Sequence, residues 1–334
     1  MTRWSATLVL VLAATTRISG QANADSLSCL RPVSGVTWWR WEHQQPTLDL
    51  WCQSVGPPVF MPALRRPGEI SRLLVLSWNV HVGGGDIEQL VGQLLDLSDE
   101  GTGLVVLLQE TFRSGAAVPE QYPPELRVPS SIRPRRPMMD IVGVAERFGL
   151  SVAYVPSMRN GQGKTLDTRE DRGNAVLSTE PLSDIRAIEL PFGKQRRVAV
   201  AATVTPRTKT LAPLRVIAAH LDPGGARVSQ AEALSDRAAS LTDIPAVIGG
   251  DLNARRGFGD RAVVAVGSRA ALESCGSGRT HRWPWRLDVL LFFLVGRLDY
   301  MFSTLDASVE RTCRTLSDAY NSDHLPLLLD VRVE

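Results

Sequence analysis

The sequence predicts an α+β chain dominated by β-strands. Three observations carry this. Short apolar runs with β-branched residues recur at intervals, such as Leu73–Trp78, Gly103–Leu108 and Leu214–His220. Only a few stretches show helical spacing, clearest at Ile87, Leu90, Val91, Leu94 and Leu95. A polar residue stands at the C-terminal end of strand after strand, the place where ligand-binding groups collect.

The first 24 residues read as a secretory signal, with Arg3 as the positive start, Ala6–Ala14 as a short apolar core and Ala22-Asn23-Ala24 as a small-x-small cleavage site. That core is too short for a stable membrane anchor, so the expected location is secreted or periplasmic. Removing this segment takes Arg3 and Arg17 from 37 basic residues, leaving 35 against 35 acidic ones. A neutral chain exerts no overall pull on nucleic acid, so any attraction must be local. All but Lys164, Lys194 and Lys209 of the basic residues are arginines, a skew that weakens any argument from an arginine's mere presence. The apolar share of 44% and charged share of 22% are those of an ordinary globular protein.

Residues 25–70 are rich in Trp and Pro (Trp38, Trp39, Trp41, Trp51, Pro57, Pro58, Pro62, Pro67) and too short to bury much core alone. They form an N-terminal extension packed on a main domain at 71–334. Four cysteines in an exported chain favour disulfides. Three pairings are open, the local one, Cys29–Cys52 with Cys275–Cys313, being preferred because each bond would tie down a nearby loop. No cysteine spacing suits zinc.

Within the main domain, Leu73–Trp78 is a strand leading to Asn79, Ile87–Leu97 a helix, and Gly103–Leu108 a strand ending at Gln109-Glu110. Residues 113–138, with many prolines and Arg127, Arg133, Arg135 and Arg136, read as a long loop. Asp140–Gly149 is a helix, Leu150–Val155 a strand, Ser157–Asp171 a polar surface loop and Gly173–Ser178 a strand. Arg186–Leu190, Arg197–Thr205 and Leu214–His220 follow as strands, then a helix at Ser229–Leu241. Ala246–Ile248 is a buried strand bounded by Pro245 and by Gly249-Gly250, which permit close backbone approach. If that strand extends onward, its period of two puts Asp251 and Asn253 on one face. An Asx turn is the alternative. The run Val289–Val295 near Trp283 and Trp285 reads as core or strand rather than a membrane-inserting hairpin, Leu298–Phe302 as a strand, and Leu325–Val333 as the closing strand.

Collected, the polar residues at strand ends are Asn79, Glu110, His220, Asp251, Asn253, Asp299, Asp323 and His324. Each alone suits a cap or a satisfied buried group. In order and local sequence (Leu76-Ser-Trp-Asn-Val80, Leu107-Leu-Gln-Glu110, Ala219-His-Leu221, Gly249-Gly-Asp-Leu-Asn253, Arg297-Leu-Asp-Tyr300, Ser322-Asp-His324) they resemble the endonuclease/exonuclease/phosphatase, or DNase I-like, superfamily, over about residues 71–334.

The resemblance implies a four-layer α/β/β/α sandwich of two mostly antiparallel sheets, and a phosphoric ester hydrolase that cleaves a P–O bond with an activated water. It implies Mg²⁺, with Mn²⁺ or Ca²⁺ as substitutes, held by Asn79, Glu110 and Asp323, since hard cations take oxygen ligands. Asp251 would activate the water and Asn253 donate to a non-bridging oxygen. His324, oriented by Asp299, would act as base or as a phosphate-binding cation. His220 would protonate the leaving oxygen, with Asp171 as its orienting partner. The division of acid and base between these residues stays open. The expected substrate is a phosphate ester, nucleic acid ahead of phospholipid, acted on by a monomer with no obligate protein partner. Arg133, Arg135, Arg136, Lys194, Arg196 and Arg197 are the candidate basic patches for a nuclease. The alternatives are a sphingomyelinase-like phospholipase, a phosphomonoesterase, or a catalytically silent binding module on the same fold.

Overall fold

The computed structural model describes residues 28–40, 46–63, 68–126, 128, 138–161, 169–240, 243–254, 259–269, 273–274, 278–282 and 296–333. The expected signal segment at 1–24, the arginines at 127, 133, 135 and 136, Cys275 and the Trp283–Val295 stretch lie outside them.

Two seven-stranded sheets form the centre. One carries β3 (Arg72–Asn79), β4 (Thr102–Ser114), β6 (Glu170–Ser178), β5 (Ser151–Arg159) and β2 (Val59–Met61) on one side of β3, with β14 (Leu327–Arg332) and β13 (Arg311–Thr315) on the other. The second runs β1 (Val36–Trp39), β7 (Leu182–Glu189), β8 (Val198–Val204), β9 (Leu214–His220), β10 (Ala246–Asp251), β12 (Asp299–Ser303), β11 (Glu273–Ser274). Three pairings are parallel, β1–β7, β3–β4 and β9–β10, and the rest antiparallel.

Strand alternation sorts the side chains into three apolar layers. Leu73 and Val75 of β3 face inward with Val105 and Leu107 of β4, meeting Val216, Ala218 and Val247 of the other sheet. The intervening Leu74, Leu76, Trp78, Leu104 and Val106 face outward, under α2 (Ile87–Asp96) and α3 (Ile141–Phe148). On the opposite outer face Ile217, Ile248, Tyr300 and Phe302 pack under α4 (Arg227–Ala239) and α5 (Arg261–Arg269). The result is the four-layer sandwich. The helices start and stop where local chemistry dictates: Asp86 caps α2 through the Gln89 N–H, Asp140 caps α3 through Gly143, and α3 ends at Gly149 with φ 61°. No described helix is long and apolar enough to cross a membrane.

The N-terminal extension contributes strands to both sheets. β1 joins the β7 edge and β2 the β5 edge, with α1 (Pro46–Ser54) between them and a Cys29–Cys52 disulfide. Cys313 is also disulfide-bonded. The Trp and Pro content hid these short elements, and α5 and β13 likewise gave no clear periodic signal. The 157–171 stretch differs from the expected loop at both ends, since β5 continues to Arg159 past an irregularity at Pro156/Met158 and β6 begins at Glu170.

One contact fixes the spacing of the sheets beneath the polar strand ends. A Cβ on Gly249 would lie 2.8 Å from Ser77 Cβ and 2.9 Å from Leu107 Cδ1 across the sandwich. The sheets meet here only because this position lacks a side chain. Gly249→Val should therefore destabilise the protein by about 2 kcal/mol or more through overpacking, read as a lowered urea midpoint at unchanged slope.

Candidate active site

The inward parity of β3, β9, β10 and β12 continues past the apolar core to their polar ends. Asn79 follows Leu73, Val75 and Ser77 on one face; His220 follows Val216 and Ala218; Asp251 follows Val247 and Gly249. In register, Asp251 pairs with His220 on one side and Asp299 on the other, making a row across one sheet. Asn79 comes from the opposite sheet and donates from Nδ2 to Asp251 Oδ2 at 2.9 Å.

Two members reach the site by breaking the strand pattern. Glu110 shares the parity of Leu104, Val106 and Leu108, which point outward, yet it lines the cleft. A bulge between Leu108 and Thr111 and a left-handed backbone at Glu110 (φ 58°) re-aim it. Its Oε2 accepts from the Val82 N–H at 2.6 Å. Asn253 departs from the expected extended geometry: β10 stops at Asp251, and Asn253 has φ 51°. Its N–H donates to Asp251 Oδ1 at 2.8 Å, an Asx turn, and its side-chain amide turns to the Leu221 carbonyl at 2.9 Å. Arg227 at the start of α4 holds the Asn253 carbonyl at 2.9 Å, while Gln230 accepts from the Asp222 N–H at 2.7 Å.

His324 Nδ1 lies 2.7 Å from Asp299 Oδ2, the expected orienting pair. The Trp78 indole N–H grips the His324 carbonyl at 3.0 Å, and Ser322 Oγ donates to the Asn79 carbonyl at 2.7 Å. The segment before β14 is thus tied to the end of β3. His324 Nε2 faces Asp323 Oδ1 at 3.7 Å and Asp251 Oδ2 at 3.9 Å. Burial opposes a charge on this imidazole, but Asp299, Asp251 and Asp323 together outweigh it and push its pKa up to about 10. Burial, reinforced by Asp299, pushes the Asp251 carboxyl up to about 7, against the pull of His324, the Asn253 N–H and the Asn79 amide.

His220 differs from expectation in both partner and charge. Its Nδ1 lies 3.0 Å from Arg197 Nη1, and because arginine only donates, the ring proton belongs on Nε2. Asn253 Nδ2, 3.1 Å from Nε2, is only a donor, so the acceptor facing that proton is Asp251 Oδ2 at 3.5 Å. Burial, then Arg197, His324 and Arg172, lower its pKa well below the usual range. A neutral imidazole is a poor proton source for a leaving oxygen. Asp171, the expected partner, is instead buried against Arg113, the Tyr154 hydroxyl (2.8 Å) and the Gly56 N–H (2.8 Å), where it anchors the extension.

The cleft around these groups has a volume of about 510 Å³. It also holds His81 and His281, which no motif pointed to. Asp323 Oδ1 is 3.4 Å from His81 Nδ1, and Asp323 Oδ2 is 3.6 Å from His281 Nε2. Burial would raise the Asp323 pKa, but the His281 hydrogen bond together with His324 and His81 holds it down. A backbone bridge between His281 and His324 brings the two rings together. Histidine is sparse in the sequence, so its use at 81 beside Asn79 and at 281 was the available signal.

The donor set suits a divalent cation. Asp299 Oδ1 and Asp323 Oδ1 are buried carboxylate oxygens that accept no hydrogen bond among the described residues. Among the described residues two groups, His281–Asp323–His324 and Asp251–Asp299–His324, bring ligand-type atoms within 4.8 Å of one another. With His324 protonated, their carboxylates and His281 are the members with lone pairs to offer. Glu110 belongs to neither, and Asn79 Oδ1 accepts from the His81 N–H at 2.9 Å while keeping a second lone pair.

Asp299→Asn removes the largest support for the His324 charge, so the imidazole pKa should fall from about 10 toward its ordinary value in an NMR titration. A raised histidine pKa stabilises the fold below the unfolded value and loses that contribution as pH rises through about 10. The melting temperatures of variant and parent should therefore differ at about pH 6 and converge near pH 10.

The family model for the endonuclease/exonuclease/phosphatase family matches residues 76–324. Among solved structures, the chain is similar to an endonuclease/exonuclease/phosphatase from Beutenbergia cavernae, with 20% identity and a TM-score of 0.55 over 79% of this chain and 72% of that one. It is similar to the human Nocturnin catalytic domain, solved with a sulfate anion, at 17% identity and a TM-score of 0.50 over 83% of this chain and 98% of that one. A Bacteroides thetaiotaomicron family protein gives 14% identity and a TM-score of 0.52 over 80% and 100%. No curated protein sequence matches the chain. The fold, and a family match that spans every strand-end motif from Asn79 to His324, make the chain a member of the endonuclease/exonuclease/phosphatase family, whose members are phosphoric ester hydrolases.

Proposed function

We propose that this protein is an exported, divalent-cation-dependent phosphodiesterase of nuclease type. The observation that carries the chemistry is the buried Asp251 carboxyl, with a pKa raised to about 7 and held between the Asn79 amide and the Asn253 N–H. A base poised near neutrality suits proton abstraction from water. Asp251 takes the proton of the attacking water as the oxygen closes on phosphorus, and the P–O bond on the far side breaks with its electron pair leaving on the departing oxygen, which takes its proton from solvent. His324, charged at neutral pH and fixed by Asp299, offers Nε2–H to a phosphoryl oxygen. His220 contributes a neutral Nε2–H, as a hydrogen-bond donor rather than an acid.

The residues that would hold the cation are Asn79, Glu110 and Asp323, with Mg²⁺ the expected ion. When bound it would neutralise charge building on the phosphoryl oxygens. The apparent signal segment at 1–24 and the Cys29–Cys52 disulfide support export.

Hydrolysis of bis-p-nitrophenyl phosphate should require a divalent cation and stop on addition of EDTA. Asp251→Asn and His324→Ala should each lower turnover by at least about a hundredfold; near-parental rates in both would refute the assignment. Activity should rise with pH through about 7, as Asp251 ionises, and fall through about 10, as His324 loses its proton.

A further inference from the structure

One buried guanidinium, Arg197, meets the edge of His220 that faces away from Asp251, and a second, Arg172, lines the same cleft. Arg197 is 5% exposed and donates to His220 Nδ1 at 3.0 Å and to Gln195 Oε1 at 2.9 Å, while its Nε has no partner. Arg172, 4% exposed, lines the same cleft, and its side chain makes no hydrogen bond or ion pair among the described residues. Arginines are seldom buried unpaired.

The neighbouring carboxylate does not account for them. Glu110 makes no ion pair with either arginine among the described residues; it faces the Val82 N–H and, at 3.4 Å, His220 Nδ1. Burial lowers the Arg197 pKa and Arg172 lowers it further, against the pull of Glu110, Asp251 and Asp222. Two cations therefore share a desolvated wall in which no described carboxylate forms an ion pair with either, an arrangement that an incoming anion relieves. Phosphate matches the paired N–H donors of guanidinium in both charge and shape. The arginine-rich composition does not account for two arginines that are buried without an ion-paired carboxylate among the described residues.

We propose that Arg172 and Arg197 receive a second, non-scissile phosphate of the substrate. Arg197 meets the Nδ1 edge of His220, whereas Asp251 and Asn253 meet the Nε2 edge. An anion held by the arginines is thus offset by an imidazole ring from the phosphorus that Asp251 serves. This rests on the phosphodiesterase reading and narrows it. Substrates with neighbouring phosphates, as in a nucleotide chain, fill both positions. A phosphocholine headgroup has one phosphate and a quaternary ammonium, and leaves the arginines without an anion.

The test compares kcat/KM for a dinucleotide with that of the same dinucleotide phosphorylated at its 5′ or 3′ end, with bis-p-nitrophenyl phosphate as a single-phosphate control. The parent protein should favour one phosphorylated form by about tenfold or more, the range of charge-assisted hydrogen bonds. Arg172→Gln should bring that ratio toward one, and Arg172→Lys should keep part of it. Hydrolysis of the control with a parental ratio near one overturns the second-phosphate site alone. A ratio unchanged in Arg172→Gln also overturns it. Failure to hydrolyse any of the substrates overturns the phosphodiesterase reading as well. If Arg172→Gln does not fold, the parental ratio and its value in Arg172→Lys decide the matter.

Discussion

The hydrogen bond from Asn79 to Asp251 joins the two sheets at the one end where both present polar side chains, and the site depends on it. It can form because the sandwich is narrow just beneath it. Gly249 faces Ser77 and Leu107 of the other sheet, where a Cβ would lie 2.8 Å from Ser77 Cβ and 2.9 Å from Leu107 Cδ1. Larger residues would hold the sheets at ordinary spacing, about 10 Å, and leave Asn79 and Asp251 facing separate solvent. The missing side chain at Gly249 thus helps convert two half-sites into one cleft.

Strand alternation alone cannot supply all the groups such a cleft needs. It presents every second residue, so adjacent chemistry must come from a backbone that leaves the ladder. Glu110 and Asn253 do this, each with positive φ. Such conformations cost of order 1–3 kcal/mol in a non-glycine residue. The surroundings hold them: Val82 binds the Glu110 carboxylate, and Arg227 and Asp251 bind the backbone of Asn253. The bulge before Thr111 also explains why the apolar run at Gly103–Leu108 continues as strand for six further residues.

Most of this fold could be read along the chain because its inner and outer apolar layers impose a strict period. β9 begins and ends where Leu214 and His220 suggested, and α2 and α3 where their caps stand. Among the elements without a clear pattern in the sequence, β1, β2 and β13 are edge strands with partial burial, so their sequences need not alternate. The strand-end residues were legible by type, and the His324–Asp299 pair by resemblance. What could not be read was which groups face each other across unrelated segments. Arg197 beside His220, His81 and His281 beside Asp323, and Asp171 beside Arg113 all depend on packing between strands distant in sequence.

Those unseen neighbours decide the chemistry. His220 and His324 are the same residue type at comparable burial in one cleft, yet their surroundings drive them to opposite charge states. Around His324, Asp251, Asp299 and Asp323 outweigh desolvation and keep the ring protonated. Around His220, Arg197 and Arg172 add to desolvation and keep it neutral. The intervening Asp251 feels both burial and Asp299, and so titrates near neutrality rather than as an ordinary carboxylate. A carboxyl titrating near neutrality, a charged imidazole and a neutral one are therefore separated by the charges behind them, not by the identity of the groups themselves.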